Sequence, residues 1–505
     1  VTDTVAVRLY SCLVFSRRNM RDVNRRTVLK GLGAAAAGAT LSSGVAGAAQ
    51  SGPVGSIELV GHSLLSDPEG GYAESEVRSD GRYALLGSYM GPGGSFLVDL
   101  EDPAEPSEVH RVPSEPTVMN ADVKFDNRDG LYYRSQEPVE QGAAGGVEVI
   151  DYGYEAGSVE DPSVVARIER PSGVHNLQPH PEEPIVYLVN GTDEEDNGVG
   201  VSVYDVSDPT APEQVAAVGP PGYNHDVTFD AARDLIHSAY IAGDEFVGWM
   251  AHDVSDPTAP EEVGRFDYSD RPDYEEIGTA GFQACHYSRA DPERDLVYVG
   301  DEKGSGLPGG KHVLDIGYGS GSLSDPEHVG FTHAPNAGVQ ERDLELFDWT
   351  THNHDIVHEG DSTLLVDGSY HEGFVVFDVT DPADPVPASQ YLTTNGAEEA
   401  NGPAWLGDAP NAWGANYDEN NDIVVVSDMT TGVYTFDVSA ETPEAEPVME
   451  AVDFDDDGEV SSAEARRAIG MWVRGETVPN TGVAGNNDHL DWSDVRELME
   501  IAADG

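Results

Sequence analysis

Lysine is scarce in this 505-residue chain: Lys30, Lys124, Lys303 and Lys311 are all there is, and Lys+Arg together number 27 against 93 Asp+Glu. A formal net charge of -66 repels the phosphates of nucleic acids and anionic lipid surfaces, which excludes both as electrostatic partners. Cysteine is nearly absent, with only Cys12 and Cys285. Long apolar runs are absent too; the stretch from Gly31 to Ala48 is too rich in Ala and Gly to make a convincing membrane span. What is present is enough hydrophobic residue, 39%, to build a sizeable core, so global disorder is excluded. Such an acidic surface repels itself at low salt and is screened over about 3 Å at molar salt. The simplest reading is adaptation to high salt.

The first 48 residues read as an address. Arg25-Arg26-Thr-Val-Leu-Lys30 resembles the twin-arginine export signal, and Ala46-Gly47-Ala48 has the small-residue pattern of a cleavage site. Residues 1–19 form an upstream extension before Met20. Cleavage removes Cys12, leaves Cys285 without a partner and leaves no membrane span. The expected location is extracellular or at the cell surface.

The body is a repeat. Asp205-Val-Ser-Asp-Pro-Thr-Ala-Pro212 recurs at Asp253–Pro260, and weaker copies start at Asp99 and Asp378. With Asp151, Asp315 and Asp437 these make seven anchors, 48 to 63 residues apart. A period near 50 with several short strands per unit marks a propeller blade. Proline places the Asp-Pro turn before the outermost strand, because it cannot sit in a central one. Ser56-Ile-Glu-Leu-Val-Gly61 looks like an outermost strand without a blade of its own (compare Glu262-Val-Gly264), and is expected to pair into the last blade and close the ring. The fold class expected is all-β: a seven-bladed β-propeller over 49–448, closed by an N-terminal strand, plus a small α-helical EF-hand-like domain over 449–505. The strands Val-Ser-Val-Tyr-Asp205, Phe-Val-Val-Phe-Asp378 and Val-Tyr-Thr-Phe-Asp437 resemble the LVIVD family of secreted propellers, here of haloarchaeal type. That resemblance implies a fold and an extracellular setting and leaves function open.

Aligning the units puts polar residues at the start of each innermost strand, facing the axis. His175, His225 with Asp226, His286, and His354 with Asp355 fall there, and Glu302 ends the second strand of the fifth unit. Neutral imidazoles and carboxylates are the ligand types of a divalent transition metal. The competing reading is structural, with these groups hydrogen-bonding to neighbouring blades. Cys285-His286, Gly300-Asp301-Glu302 and His352-Asn353-His354 together resemble a subset of extracellular LVIVD-type propellers. Cys285 itself reads as a small buried residue.

The C-terminus carries a twelve-residue calcium loop. Asp453, Asp455 and Asp457 occupy positions 1, 3 and 5, Gly458 the turn at 6, Glu459 the carbonyl position 7, Ser461 position 9 and Glu464 position 12. Hard oxygen ligands at these offsets wrap one Ca²⁺. A second unit near Leu490 and Asp494 lacks acids where its loop should begin (Val483, Gly485), and so is degenerate. Two loop–helix units over 451–503 resemble a dockerin-type module as well as an EF-hand pair, which implies a cohesin-like cell-surface partner.

The leading expectation is an extracellular, calcium-binding propeller acting in binding or cell-surface assembly, with a protein partner and a small ligand in the channel. The alternative is a secreted metalloenzyme with its transition metal in the channel; no nucleophile elbow, phosphate loop or glycosidase acid pair supports other chemistries. The charge generates a first prediction. Raising salt from about 0.1 M to about 1 M, where the screening length falls from about 10 to about 3 Å, should raise the melting temperature measured by circular dichroism. An unchanged or lower value would refute the high-salt reading.

Overall fold

The computed structural model describes residues 55–440 apart from 91, 141, 190–199, 292, 305, 338–349 and 403–408, together with 452, 460–461, 464–469 and 498. The export signal within 1–48 and the calcium-loop residues Asp453, Asp455, Asp457 and Glu459 lie outside the described residues.

Seven antiparallel sheets are arranged as the blades of a propeller. Blade one runs from Ser75 to Val112, blade two from Val118 to Glu169, blade three from Leu177 to Val218 and blade four from Tyr223 to Asp267. Blade five covers Cys285–Thr332, blade six His354–Tyr391, and blade seven Ala412–Ser439. The strand Ser56–Ser63 completes blade seven as its outermost strand, pairing Ser56 with Ser439 and Ser63 with Val433. The closing strand expected from the sequence is thus present, and the seven-bladed ring stands.

The anchoring aspartates sit where the repeat placed them. Six end the third strand of their blades, and Asp437 lies near the end of the seventh such strand. The carboxylates of the first six make Asx turns: Asp205 accepts the Ser207 N–H at 2.8 Å, and three residues on Asp208 accepts that of Thr210 at 2.9 Å. Two stacked Asx turns reverse the chain and explain the Asp-x-x-Asp-Pro spacing. Where the second Asp is missing, the first does more. Asp151 accepts four backbone N–H groups, from Gly153 to Ala156.

The pairing of third to outermost strand is irregular in every blade. Bulges lie at Leu97/Val98, Val164/Ala166, Val203/Tyr204, Ala251/His252, Val313/Leu314, Val376/Phe377 and Leu59/Gly61. Close approach there explains the shared Val-Gly. A Cβ on Gly61 would stand 2.3 Å from the Pro103 carbonyl, and one on Gly264 2.1 Å from that of Leu323. In each case the outer strand lies against the turn of the next blade.

The core is divided into seven wedges, one between each pair of neighbouring blades. Leu85, Leu97, Tyr132 and Ile150 join blades one and two. Trp249 and Phe266 meet Val297 and Leu314 between four and five. Ile57, Phe374, Tyr391, Tyr434 and Phe436 fill the wedge between six and seven. Most apolar burial lies between the sheets; a smaller cluster that includes Ala73, Met119, Tyr370 and Trp413 joins blades one, two, six and seven near the starts of the inner strands.

Outside the propeller, the residues 464–469 form one helical segment. Ser461 starts it: its carbonyl accepts the Ala465 N–H at 3.0 Å, and Glu464 Oε2 accepts from the Ser461 N–H at 2.8 Å and its hydroxyl at 2.7 Å. This is the reciprocal arrangement of a capping box. Among the described residues no helix is long and apolar enough to cross a membrane.

The closing strand generates the second prediction. Ile57 is fully buried in the wedge between blades six and seven. Ile57→Ala should cost about 2–5 kcal/mol in urea unfolding, whereas Glu58→Ala, at an exposed position of the same strand, should cost little. Equal, small effects would show that this strand does not close the ring.

Candidate functional site

Each innermost strand ties itself to the next blade with a side chain. Glu76 accepts the Phe125 N–H, and Asp122 accepts that of Leu177 at 2.7 Å. Asn176 donates to the His225 carbonyl at 2.8 Å and to Asp226 Oδ2 at 2.8 Å. The Thr228 hydroxyl donates to the Ser288 carbonyl at 2.8 Å, and Arg289 pairs with Asp355 at 3.1 Å. Asp355 also accepts the Tyr417 N–H at 3.1 Å, and Asn416 donates to the Ser75 carbonyl at 2.7 Å. These contacts span all seven junctions between neighbouring blades and so run once around the axis. Asp226 and Asp355 belong to this belt.

Inside the belt is a channel of about 260 Å³ whose wall includes residues of all seven blades, among them Glu74, Glu76, Lys124, Asp226, Arg289 and Asp355. Burial pushes Glu76 up to about 8 against the pull of Lys124, and pushes Asp226 well above the usual carboxylate range, with the charge of Asp122 adding to it.

One residue upstream of the channel wall, four imidazoles form an arc: His175, His225, His286 and His352, one from each of blades three to six. Successive ring centroids are 4.4, 4.0 and 4.3 Å apart. Glu302, at the end of the second strand of blade five, faces them. Its Oε2 is 3.5 Å from His286 Nε2, its Oε1 is 3.6 Å from His352 Nε2, and Oε1 accepts the Tyr370 hydroxyl at 2.6 Å. One ligand atom each from His225, His286 and Glu302 lie within 4.8 Å of one another.

The backbone is bent to make this arc. Bulges between Asn224/Asp226 and Cys285/Tyr287 leave His225 and His286 without partners in their ladders, and a third between Ala412/Gly414 does the same for Trp413, whose ring packs 4.6 Å from that of His352. Bulges re-aim side chains in this way. Ala284 holds a φ of 62°, and its carbonyl accepts the Glu302 N–H at 3.0 Å. Tyr370 holds a φ of 41°. Left-handed backbone at non-glycine residues is strained and is retained where surroundings fix it.

Electrostatics keep most of the arc neutral. Burial drives His225 and His286 well below the ordinary histidine range, helped by the neighbouring imidazoles. Burial also takes His352 down to about 3, against its hydrogen bond to the Trp413 carbonyl. His175 goes the other way: burial disfavours its proton, but the charge and 2.6 Å hydrogen bond of Glu137 outweigh it. Burial raises Glu302 to about 7, with the Tyr370 hydroxyl and His175 pulling down.

Of the expected residues, the structure brings His175, His225, His286 and Glu302 together. It places Asp226 and Asp355 on the channel wall. His354 is directed elsewhere: its Nδ1 meets the Lys311 ammonium at 2.9 Å, and its ring packs against Tyr287. The reason lies in the ladder. The two inner strands of blade six pair regularly, with His354 opposite Asp367 and Asp355 opposite Val366, so no bulge turns His354 to the axis. His352 takes the place instead. Glu137, Tyr370 and Trp413 were not singled out by sequence reasoning, and no spacing in the chain marks them. Cys285 is fully buried, and burial followed by the charge of Asp301 pushes its thiol well above its ordinary value, which makes it a packing residue.

Residues 239–268, from the second strand of blade four through its outermost strand, match the LVIVD repeat. The chain is a seven-bladed propeller that carries an LVIVD repeat. This propeller is similar in structure to a functionally unknown protein from Desulfotomaculum acetoxidans, with a TM-score of 0.42 and 11% identity over 63% of this chain and 85% of that one. It is also similar to the Cps50 (Swd1) β-propeller domain of Myceliophteria thermophila, with a TM-score of 0.47 and 9% identity over 75% and 99% of the two chains. No curated protein matches it.

Proposed function

We propose that this LVIVD propeller is an exported binding module that takes a small polar ligand in its axial channel and uses a calcium-ordered tail for assembly at the cell surface. The observation that carries the reading is the channel: about 260 Å³, walled by every blade, with Arg289 and Lys124 set among Glu74, Glu76 and Asp226. Both signs of charge and a carboxyl held near neutrality suit a small zwitterion or polyhydroxylated molecule, which the wall can meet with donors and acceptors together. Export is supported by the Arg25-Arg26 pair and the Ala46-Gly47-Ala48 site. Calcium is supported by the acids of 453–464 and by the contact between Ser461 and Glu464, the ninth and twelfth loop positions. The dockerin-like pattern of 451–503 makes a cohesin-like protein the partner of choice.

A secreted metalloenzyme is the second reading. It is favoured by the convergence of neutral imidazoles on Glu302 at the head of the channel.

Two measurements test the first reading. Zwitterions and sugars screened by thermal shift should raise the melting temperature of the wild type and lose that effect on Arg289→Ala; a wild type that no member of either class shifts would count against the channel as a ligand site. Titration calorimetry of the full chain with Ca²⁺ should show a single site that Asp457→Asn and Glu464→Gln each abolish. Undiminished binding in both variants would remove the tail from the account.

A further inference from the structure

Around the axis, the belt carboxylates and amides have work to do; the histidine arc does not. Among the described residues His286 has no hydrogen-bond partner on either ring nitrogen and His225 has none on Nδ1, although His286 is 1% and His225 6% exposed. Buried polar nitrogens are rarely left so unless something absent from the protein chain satisfies them. The two ends of the arc are oriented. His175 Nδ1 is held by Glu137 and His352 Nδ1 by the Trp413 carbonyl, which leaves Nε2 of each ring as its ligand atom. Fixing one ring nitrogen to a carboxylate or carbonyl so that the other can coordinate is how proteins prepare a metal-binding histidine. Glu302 is prepared in the same manner. Tyr370 holds Oε1, so Oε2 is the oxygen turned toward His286.

We propose that His225, His286 and Glu302 bind one divalent first-row transition-metal ion at the head of the channel, that His175 and His352 complete an imidazole-rich set, and that Glu137 and Tyr370 are positioning residues. Imidazole in this number selects such an ion over Ca²⁺ or Mg²⁺, which prefer all-oxygen sites. Two histidines and one carboxylate on a common face also match the ligand set of non-haem iron(II) centres. The strained backbone at Ala284 and Tyr370 and the bulges at His225 and His286 then have a common purpose, since each sets one member of the cluster.

This inference rests on the same cluster as the metalloenzyme reading, and the two fail separately: an ion bound without turnover of any substrate would end the enzyme and leave the site. The test uses the full chain, stripped with a chelator, returned to excess Ca²⁺ so that the tail carboxylates are filled, and titrated with Co²⁺. The expected result is one Co²⁺ per chain with visible d–d absorption. His286→Ala and Glu302→Gln should abolish that absorption while the circular dichroism stays that of the wild type. Glu137→Gln should weaken binding about 10–100-fold, the usual effect of losing a group that orients a ligand. His354→Gln should bind as the wild type does. Pulsed electron paramagnetic resonance of the Cu²⁺-loaded wild type should show imidazole nitrogen couplings, a readout that needs no variant to fold. Absence of a stoichiometric ion, absence of nitrogen couplings, or full binding by a folded His225→Ala/His286→Ala double variant would each overturn the proposal.

Discussion

The belt of hydrogen bonds between innermost strands is the constraint on which the rest depends. Each blade is a sheet of four strands, five in blade two, that cannot bury both faces alone, and apolar wedges hold neighbours together without fixing their rotation. Directional contacts such as Asp122 to the Leu177 N–H and Asp355 to the Tyr417 N–H set how far each inner strand stands from the next. Because these bonds are made at the narrow end of the wedges, a small change there is magnified at the rim. They also determine which polar residues are consumed by architecture and which are left for chemistry.

That division accounts for what was legible in the sequence. The anchors were readable because an Asx turn needs Asp at one place and tolerates Pro at another, so the full string recurs in four blades and its first Asp in the other three. The closing strand was readable because Gly61 and Gly264 meet the same steric demand from a neighbouring carbonyl. Asp226 and Asp355 were seen as axial, and both are; what the linear pattern did not reveal is that their oxygens are already committed to adjacent blades.

The site was legible only in part, for a local reason. His225 and His354 each precede an aspartate at the start of an inner strand, and in a one-dimensional alignment they are equivalent. A single extra residue in the ladder at His225, and none at His354, sends the two rings in different directions. Sequence periodicity does not register a bulge of one residue, because the flanking residues read the same with it or without it. Glu137 and Tyr370 lay out of reach for another reason: they act on His175 and Glu302 from other blades, and nothing in the spacing of the chain records that proximity.

The union of Ser56 with Ser439 joins residues 383 apart. A ribosome adding about 5–20 residues each second would need roughly 20–80 s to deliver the mate of that first segment. For the whole of that interval the newborn polypeptide carries an open flank at one end and an unfinished blade at the other. Its maturation is consequently governed by when Ser439 emerges, and any product cut short of that residue, however well its early units assemble, is left with two surfaces able to engage other chains.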